Sequence, residues 1–308
     1  MNKTRNFGRD PGLQARMILT LFLLGLVYAV LIGVLFAAGV GAVVIAVIAG
    51  GLFLVQFFTS DRIALASMGA RQIAPGDGPW AAKLIGVVQR LAIQADIPMP
   101  RVAVADTPMP NAFAVGRSPG TATVCVTTGL LGLLEEGELE AVLGHELTHI
   151  ANRDVMVMTL ASFFASIASF IVQIGFWFGG AFNDNEDGPG ALVVILVSAA
   201  VYVISWLLLQ ALSRYREFAA DRGSAIITGR PSALISALMK IDGAMGRIPQ
   251  RDLRAASGEL AAFYIFPPQV KRSVSTVFST HPSLDQRVAA LQRLEVQLQS
   301  AGTAAARR

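Results

Sequence analysis

The segment GHELTHIANRD, residues 144–154, holds two of the three histidines of the chain, four residues apart, with a glutamate directly after the first. Successive residues of an α-helix turn by about 100°, so His145 and His149 project within roughly 40° of one another. Glu146 lies about 60° beyond His149. A helix over this segment therefore places all three side chains on one face.

Two neutral imidazoles at this spacing can bind one Zn²⁺, at about 2.0 to 2.1 Å from each nitrogen. The H-E-x-x-H arrangement is typical of zinc-dependent proteases, in which the glutamate takes a proton from the attacking water. A match arises by chance in a chain of this length about one time in a hundred. The alternative is a helix with coincidental histidines, so the context of the motif matters.

The composition indicates a membrane protein. The 308 residues are 54% hydrophobic and 15% charged, with a mean hydropathy of +0.56. No charged residue occurs from Met17 to Phe58, a run about twice the roughly 20 residues that cross a bilayer. We predict spans 1 and 2 within 17–58, with the turn at Gly39 and Gly41. Uncharged stretches on either side of the acidic loop NDNEDGPG predict spans 3 and 4 within 155–213.

Basic residues predict the orientation of the four spans. Those at the polar ends all fall on one side: Lys3, Arg5, Arg9, Arg16, Arg62, Arg153, Arg214 and Arg216. The amino-terminal residues 1–16 and the polar segments 59–154 and 214–308 should then be cytoplasmic. The net charge of +4 comes from these flanks rather than from a basic face, so we expect no nucleic-acid partner.

The two polar segments are predicted to fold together as one cytoplasmic domain, because neither carries a complete metal site alone. Residues 79–98 have helical spacing, whereas RVAVAD, NAFAVG and ATVCVTT are typical of short strands, with RSPG as a turn. The predicted class is mainly α with a small β-sheet. Since no glycine or proline occurs from His145 to Ile174, the motif helix is predicted to continue directly into span 3.

A catalytic zinc needs a third protein ligand. Cys125, the only cysteine, lies in a predicted strand and is typical of a small buried residue. Glu217, where span 4 ends, is the better candidate, and Asp221 lies one turn further on the same face. Asp221 would accept a hydrogen bond from the free ring nitrogen of a ligand histidine. Alternatively, both carboxylates are solvated charges paired with neighbouring arginines.

Four motifs in order, HELTHIANRD, REFAADR, PNAFAVG and STHPSLDQR, resemble the HtpX family of membrane zinc metallopeptidases, relatives of the CAAX prenyl endopeptidase. The resemblance implies a zincin-like peptidase of the bacterial cytoplasmic membrane, acting on damaged or misassembled membrane proteins. It implies one Zn²⁺ per chain held by His145, His149 and Glu217, with Glu146 as general base and Asp221 in support. Arg153 stands where the family pattern has a glycine.

Two motifs keep more than one interpretation. His281 could be the third ligand in place of Glu217, a donor to the oxyanion of the reaction, or a capping residue before the helix that begins near Pro282. The resemblance favours Glu217 as ligand. Residues Asn111, Ala112, Phe113 and Ala114 could form a core strand or an exposed edge strand that pairs with an extended substrate, and we favour the edge strand.

Two other classes of function were weighed. A transporter would carry ionisable groups within its spans, and these spans have none. A catalytically silent membrane scaffold with a structural zinc is the stronger alternative. Structural zinc sites are usually closed by four protein ligands, commonly cysteines, and this chain has one cysteine. We therefore expect an enzyme with protein or peptide substrates, embedded in a lipid bilayer.

Overall fold

The computed structural model describes residues 10–39, 41–178, 191–245 and 281–306. These residues form mainly helices together with one small mixed sheet, as the sequence predicted. The chain divides into two units. A helical unit consists of Pro11–Ser60 and Met156–Ser213. A sheet unit takes its described residues mainly from Asp61–Val155 and from the part that begins at Arg214.

The helical unit contains α1 (Pro11–Ala37), most of α2 (Ala42–Ser67), most of α6 (Asp154–Phe178) and the first part of α7 (Ala191–Thr228). The turn between α1 and α2 lies where it was predicted, and Gly39 there has a φ of 79°, which favours glycine. Buried side chains of α1, α6 and α7 pack together, among them Leu24, Leu31, Ile167 and Val201. Large apolar side chains such as Phe22 face outward, as lipid contact requires.

Three helices of the described residues are long and apolar enough to cross a membrane: Pro11–Ala37, Asp154–Gln173 and Leu192–Thr228. The prediction of four spans is therefore corrected to three candidate spans. The second predicted span falls on α2, which begins only at Ala42. α2 carries Asp61 and Arg62 in its last two turns, and from Asp61 onward it belongs to the sheet unit.

The sheet unit is built around four strands: β1 (Arg71–Gln72), β2 (Arg101–Ala105), β3 (Ala112–Val115) and β4 (Thr123–Thr127). Their order is β1-β2-β4-β3, with β2 and β4 parallel and the other two pairs antiparallel. The predicted strands and the helix over 79–98 are thus confirmed, the latter as α3 (Pro79–Ala95). β3 pairs only with β4 in this sheet and is an edge strand.

The remaining helices of the sheet unit enclose a hydrophobic core with one face of the sheet. They are α4 (Thr128–Leu133), α5 (Glu136–Ala151), α8 (Pro231–Met245) and α9 (Leu284–Ala306), together with the last part of α7. α5 packs against α3, α8 and β3. Its residues Val142, Leu143 and Leu147 are fully buried in this core, so the helix that carries the histidine motif is held on several sides.

The motif helix does not continue into the third span, and this prediction was wrong. α5 ends at Ala151, and α6 begins at Asp154. Between them Arg153 has a φ of 56°, a left-handed conformation that breaks the helix. The break has no local signal in the sequence, because neither glycine nor proline occurs at it. The left-handed conformation explains why a glycine suits this position, since only glycine adopts it without steric cost.

Candidate metal centre

Three side chains converge where α5 faces α7 within the sheet unit. The Nε2 atoms of His145 and His149 are 3.1 Å apart. The Glu217 carboxylate lies opposite them, with Oε2 3.5 Å from Nε2 of His145 and Oε1 3.5 Å from Nε2 of His149. The ligand atoms of these three residues all lie within 4.8 Å of one another. The sequence-predicted ligand set is thus brought together.

The close approach of α5 and α7 depends on two glycines. A Cβ atom on Gly223 of α7 would lie 2.3 Å from Cγ2 of Thr148 on α5. A Cβ on Gly144 would lie 3.2 Å from Oγ of Ser224. The Ser224 hydroxyl donates to the carbonyl of Ala141 at 2.6 Å, which joins the two helices directly. Glycine at these positions lets Glu217 reach the two histidines.

The spacing and charge of the cluster fit a divalent metal. Two ligands at about 2.05 Å from a tetrahedral zinc are separated by about 3.3 Å, close to the three separations above. Oε2 of Glu217 is buried and has no hydrogen bond among the described residues, so its lone pairs are available to a metal. With both imidazoles neutral, the site holds four carboxylates and two guanidinium groups, and therefore an excess of two negative charges that a divalent cation cancels. The carboxylates belong to Glu146, Asp154, Glu217 and Asp221, and the guanidinium groups to Arg216 and Arg287.

Asp221 holds His145 as the sequence predicted. Its Oδ1 lies 3.0 Å from Nδ1 of His145, so the other ring nitrogen faces the cluster. Asp221 in turn pairs with the guanidinium of Arg287, through Nε at 2.8 Å and Nη2 at 2.5 Å. All three side chains are buried. The alternative of solvated surface charges is therefore excluded for Asp221.

His149 has its own carboxylate. Its Nδ1 lies 2.6 Å from Oδ2 of Asp154, and Nε of Arg216 lies 3.0 Å from the other oxygen of that aspartate. Asp154 is the first residue of α6, and the break at Arg153 turns it back toward the motif helix. Each candidate ligand histidine thus belongs to a separate histidine–aspartate–arginine chain.

The surroundings shift the pKa of both histidines upward. Burial lowers the pKa of His149, but its contacts with Asp154 and Glu217 outweigh burial and raise the pKa to about 10. At His145, burial is likewise outweighed by Asp221 and Glu217, and the pKa is raised. Burial raises the pKa of Glu146, which is only 5% exposed. A carboxylate with a raised pKa beside a metal site is suited to accept a proton near neutral pH.

His281 lies beside the cluster but is not one of the three converging ligands. Its Nδ1 is 3.4 Å from Oε2 of Glu217, and the side chain is buried. It precedes α9 by three residues, in agreement with the predicted helix start. The structure thus places His281 beside Glu217, at the border of the cluster.

The segment 111–114 forms an edge strand next to the motif helix. β3 pairs with β4 on one side, with Phe113 opposite Cys125, and α5 packs against β3. Phe113 and Ala112 are buried, whereas Ala114 is partly exposed. The backbone N–H of Asn111 donates to the hydroxyl of Thr127 at 2.9 Å, and this hydroxyl donates to the Asn111 carbonyl at 3.0 Å. Burial raises the pKa of the Cys125 thiol to about 12, which suits a core residue.

Sequence reasoning missed Asp154, Arg216 and Arg287 as parts of the site. Asp154 and Arg287 lie within the motifs HELTHIANRD and STHPSLDQR, and Arg216 directly precedes Glu217. Their roles depend on a helix break and on the packing of α9, neither of which has a local pattern. The segment 251–270, whose mixed helical and turn signals predict a loop or short helices, lies outside the described residues.

A unit of helices and a small sheet, in which a glutamate from a second helix faces the H-E-x-x-H motif, is joined to apolar helices of membrane length. This combination defines the class of membrane metalloproteases. Residues 80–295 match the model of peptidase family M48, and the chain therefore belongs to this family. It is 53% identical to "Protease HtpX homolog" of Moorella thermoacetica over 96% of this chain and 98% of that protein. It is also 48% identical to "Protease HtpX homolog 2" of Methanosarcina acetivorans, over 96% and 99%.

Among solved structures, the fold is similar to the crystal structure of S. mikatae Ste24p. The TM-score is 0.53 at 17% sequence identity, and the match covers 91% of this chain. This chain spans 66% of the length of the Ste24p chain, so the similarity concerns the shared fold. The resemblance stated from the four motifs is confirmed by these comparisons.

Proposed function

We propose that this protein is a zinc-dependent endopeptidase of the cell membrane. The single observation that carries the proposal is the convergence of His145, His149 and Glu217 next to the buried Glu146. Three ligands of this kind leave one coordination position open, which is typical of catalytic rather than structural zinc. One zinc ion per chain would be held there.

The residues of the chain have distinct roles in the proposed reaction. Zinc bound by the three ligands would supply a Lewis acid and make water acidic enough to lose a proton near neutral pH. Glu146 follows His145 directly and lies on the same face of α5, so its carboxylate is close to the metal position. There it accepts the proton of the water and passes it to the leaving amine. Asp221 and Asp154 hold the imidazoles in the orientation that ligation needs.

The proposed substrates are proteins or peptides in extended conformation. The strand β3 stands at the edge of the described sheet and lies against the motif helix, so an extended peptide would add to the sheet at this edge. Asn111, Ala112, Phe113 and Ala114 would define this binding edge. His281, next to Glu217, is proposed to donate a hydrogen bond to the oxyanion that forms as the peptide bond is attacked.

The proposed location is the cytoplasmic membrane of a bacterium, with the site on the cytoplasmic side. Support comes from Arg153, Arg214 and Arg216, which border the apolar parts of α6 and α7 at one end, and from three acidic residues in the sequence between these helices. Substrates would include damaged membrane proteins. Cysteines placed at Asp187 and at the exposed Arg293 should differ in labelling by an impermeant thiol reagent added to cells, and equal labelling would contradict this orientation.

Proteolysis of casein by the purified protein in detergent tests the function. We expect cleavage that stops with a chelator and returns with Zn²⁺. Tightly bound zinc without cleavage of casein or of unfolded membrane proteins would instead favour the scaffold with a structural zinc. Cleavage that persists after complete removal of the metal would contradict a metal-dependent mechanism.

A further inference from the structure

The side chain of Arg287 is fully buried, with an exposed fraction of 0%, although it carries a permanent charge. Removing a guanidinium from water costs several kcal/mol, and an apolar side chain of similar size at such a position is often no less stable. A buried arginine is therefore explained better by a specific task than by stability. Its neighbours identify the task, because Arg287 reaches two of the acidic groups of the metal centre.

We propose that Arg287 is a positioning residue that sets the metal affinity of the centre through Asp221 and Glu217. This inference rests on the zinc site of the proposed function. The guanidinium contacts both carboxylate oxygens of Asp221, at 2.8 and 2.5 Å, so the carboxylate is fixed in its plane. Its Nη1 lies 3.5 Å from Oε2 of Glu217, the oxygen that faces His145.

Asp221, held by Arg287, determines which ring nitrogen of His145 carries the proton. Since Asp221 Oδ1 accepts from Nδ1 of this histidine, the lone pair of Nε2 is left for the metal. Nη2 of Arg287 lies 3.4 Å from the same Nδ1 atom, so the arginine also limits rotation of the ring. A shift of Arg287 would therefore disturb one ligand through Asp221 and another through its contact with Glu217.

Arg287 belongs to α9, far along the sequence from the motif helix and from α7. The docking of α9 thus completes the metal centre, although α9 supplies no ligand of the described cluster. Arg216 is the counterpart for the other histidine, but its Nε, 3.0 Å from Oδ1 of Asp154, makes no hydrogen bond among the described residues. We therefore expect the larger effect on metal affinity from Arg287.

The test measures Zn²⁺ affinity by competition with a chelator on the full-length protein in detergent, independently of proteolysis. Arg287→Met and Asp221→Asn should each weaken zinc binding by about 10 to 100-fold, the usual effect of losing a partner of a ligand histidine. Arg287→Lys should recover part of the loss, because lysine keeps the charge but contacts one oxygen at a time. Arg293→Met, at an exposed position of the same helix, is the matched control and should bind zinc normally.

The double variant Arg287→Met with Asp221→Asn separates positioning from general destabilisation. If the arginine acts through Asp221, the two losses of affinity should be clearly less than additive. The visible spectrum of bound Co²⁺ should also change in Arg287→Met and not in Arg293→Met. If Arg287→Met fails to fold, the proposal is tested with Arg287→Lys and with the double variant, which leaves the net charge unchanged. A wild-type Zn²⁺ affinity in either variant would overturn the proposal.

Two failures remain distinguishable. A wild-type protein that binds no zinc would refute the proposed metal site itself. A wild-type protein that binds zinc, with unchanged affinity and Co²⁺ spectrum in the folded Arg287 variants, would refute only the positioning role. Fully additive losses in the double variant would likewise refute action through Asp221.

Discussion

Nδ1 of His149 lies 2.6 Å from Oδ2 of Asp154, the residue that opens the next helix. Five residues along an uninterrupted α-helix would place the two side chains about 140° apart around its axis. The left-handed conformation of Arg153 breaks the helix and brings them together. A local distortion of the backbone thus supplies the partner that orients one of the two candidate ligand histidines.

Arg153→Gly should increase the free energy of unfolding, by no more than about 1 kcal/mol. Glycine relieves the steric cost of the left-handed conformation, although its entropy in the unfolded chain offsets part of this gain. Arg153→Val should lose about 1 to 2 kcal/mol, since a β-branched residue suits this conformation poorly. Thermal unfolding in detergent measures both, and equal stability of the two variants would contradict the left-handed turn.

Glu146→Gln should abolish peptide cleavage and leave zinc bound. The amide keeps the shape of the side chain but cannot accept a proton, whereas the three ligands are unchanged. Zinc content and casein cleavage are measured on the same preparation. His145→Ala serves as the comparison that loses both, and cleavage at the wild-type rate by Glu146→Gln would rule out its role as base.

Glu217→Ala should lose most of its zinc, whereas His281→Ala should retain it. The glutamate faces both imidazoles, whereas His281 lies beside the glutamate, with Nδ1 3.4 Å from its Oε2. If His281 donates to the oxyanion, its loss should lower turnover by about 10²-fold or more with little change in KM. Metal analysis after washing with chelator decides, and the reverse pattern would indicate a site of three histidines.

Gly223→Ala should weaken zinc binding and destabilise the protein. A methyl group there meets Cγ2 of Thr148 at 2.3 Å, so α7 must move away from α5 and carry Glu217 with it. Gly243→Ala is the control, because a Cβ at that position of α8 meets no atom within 4 Å and alanine favours the helix. Gly223→Ala should lower both the zinc affinity and the melting temperature. Gly243→Ala should leave the zinc affinity unchanged and should not lower the melting temperature.

Zinc affinity should increase as the pH rises through the neutral range. The pKa of His149, raised to about 10 by Asp154 and Glu217 against the effect of burial, means that this imidazole carries a proton at neutral pH. Ligation requires the neutral ring, so metal binding releases the proton, and each proton released changes the affinity by about tenfold per pH unit. Calorimetry in buffers of different ionisation enthalpy measures the release, and a pH-independent affinity would contradict it.

The sequence by itself determined the residues that have zinc-binding chemistry and the segments that suit a membrane. The H-E-x-x-H spacing is a local property of one helix, so His145, Glu146 and His149 could be placed on one face without any tertiary information. The short apolar runs RVAVAD, NAFAVG and ATVCVTT likewise indicated three of the four strands, and REFAADR pointed to Glu217 and Asp221. These signals depend only on neighbours in the sequence.

Only the tertiary structure decided how these pieces meet. The approach of α7 to α5 at Gly223, the turn at Arg153 and the docking of Arg287 from α9 join residues that are distant in sequence or separated by a helix break. The three candidate spans were likewise identified from the helices of the fold, because an uncharged run does not show where each helix begins and ends. Contacts between such side chains depend on the free energies of packing and of removing polar groups from water. These free energies are defined only when the chain is folded.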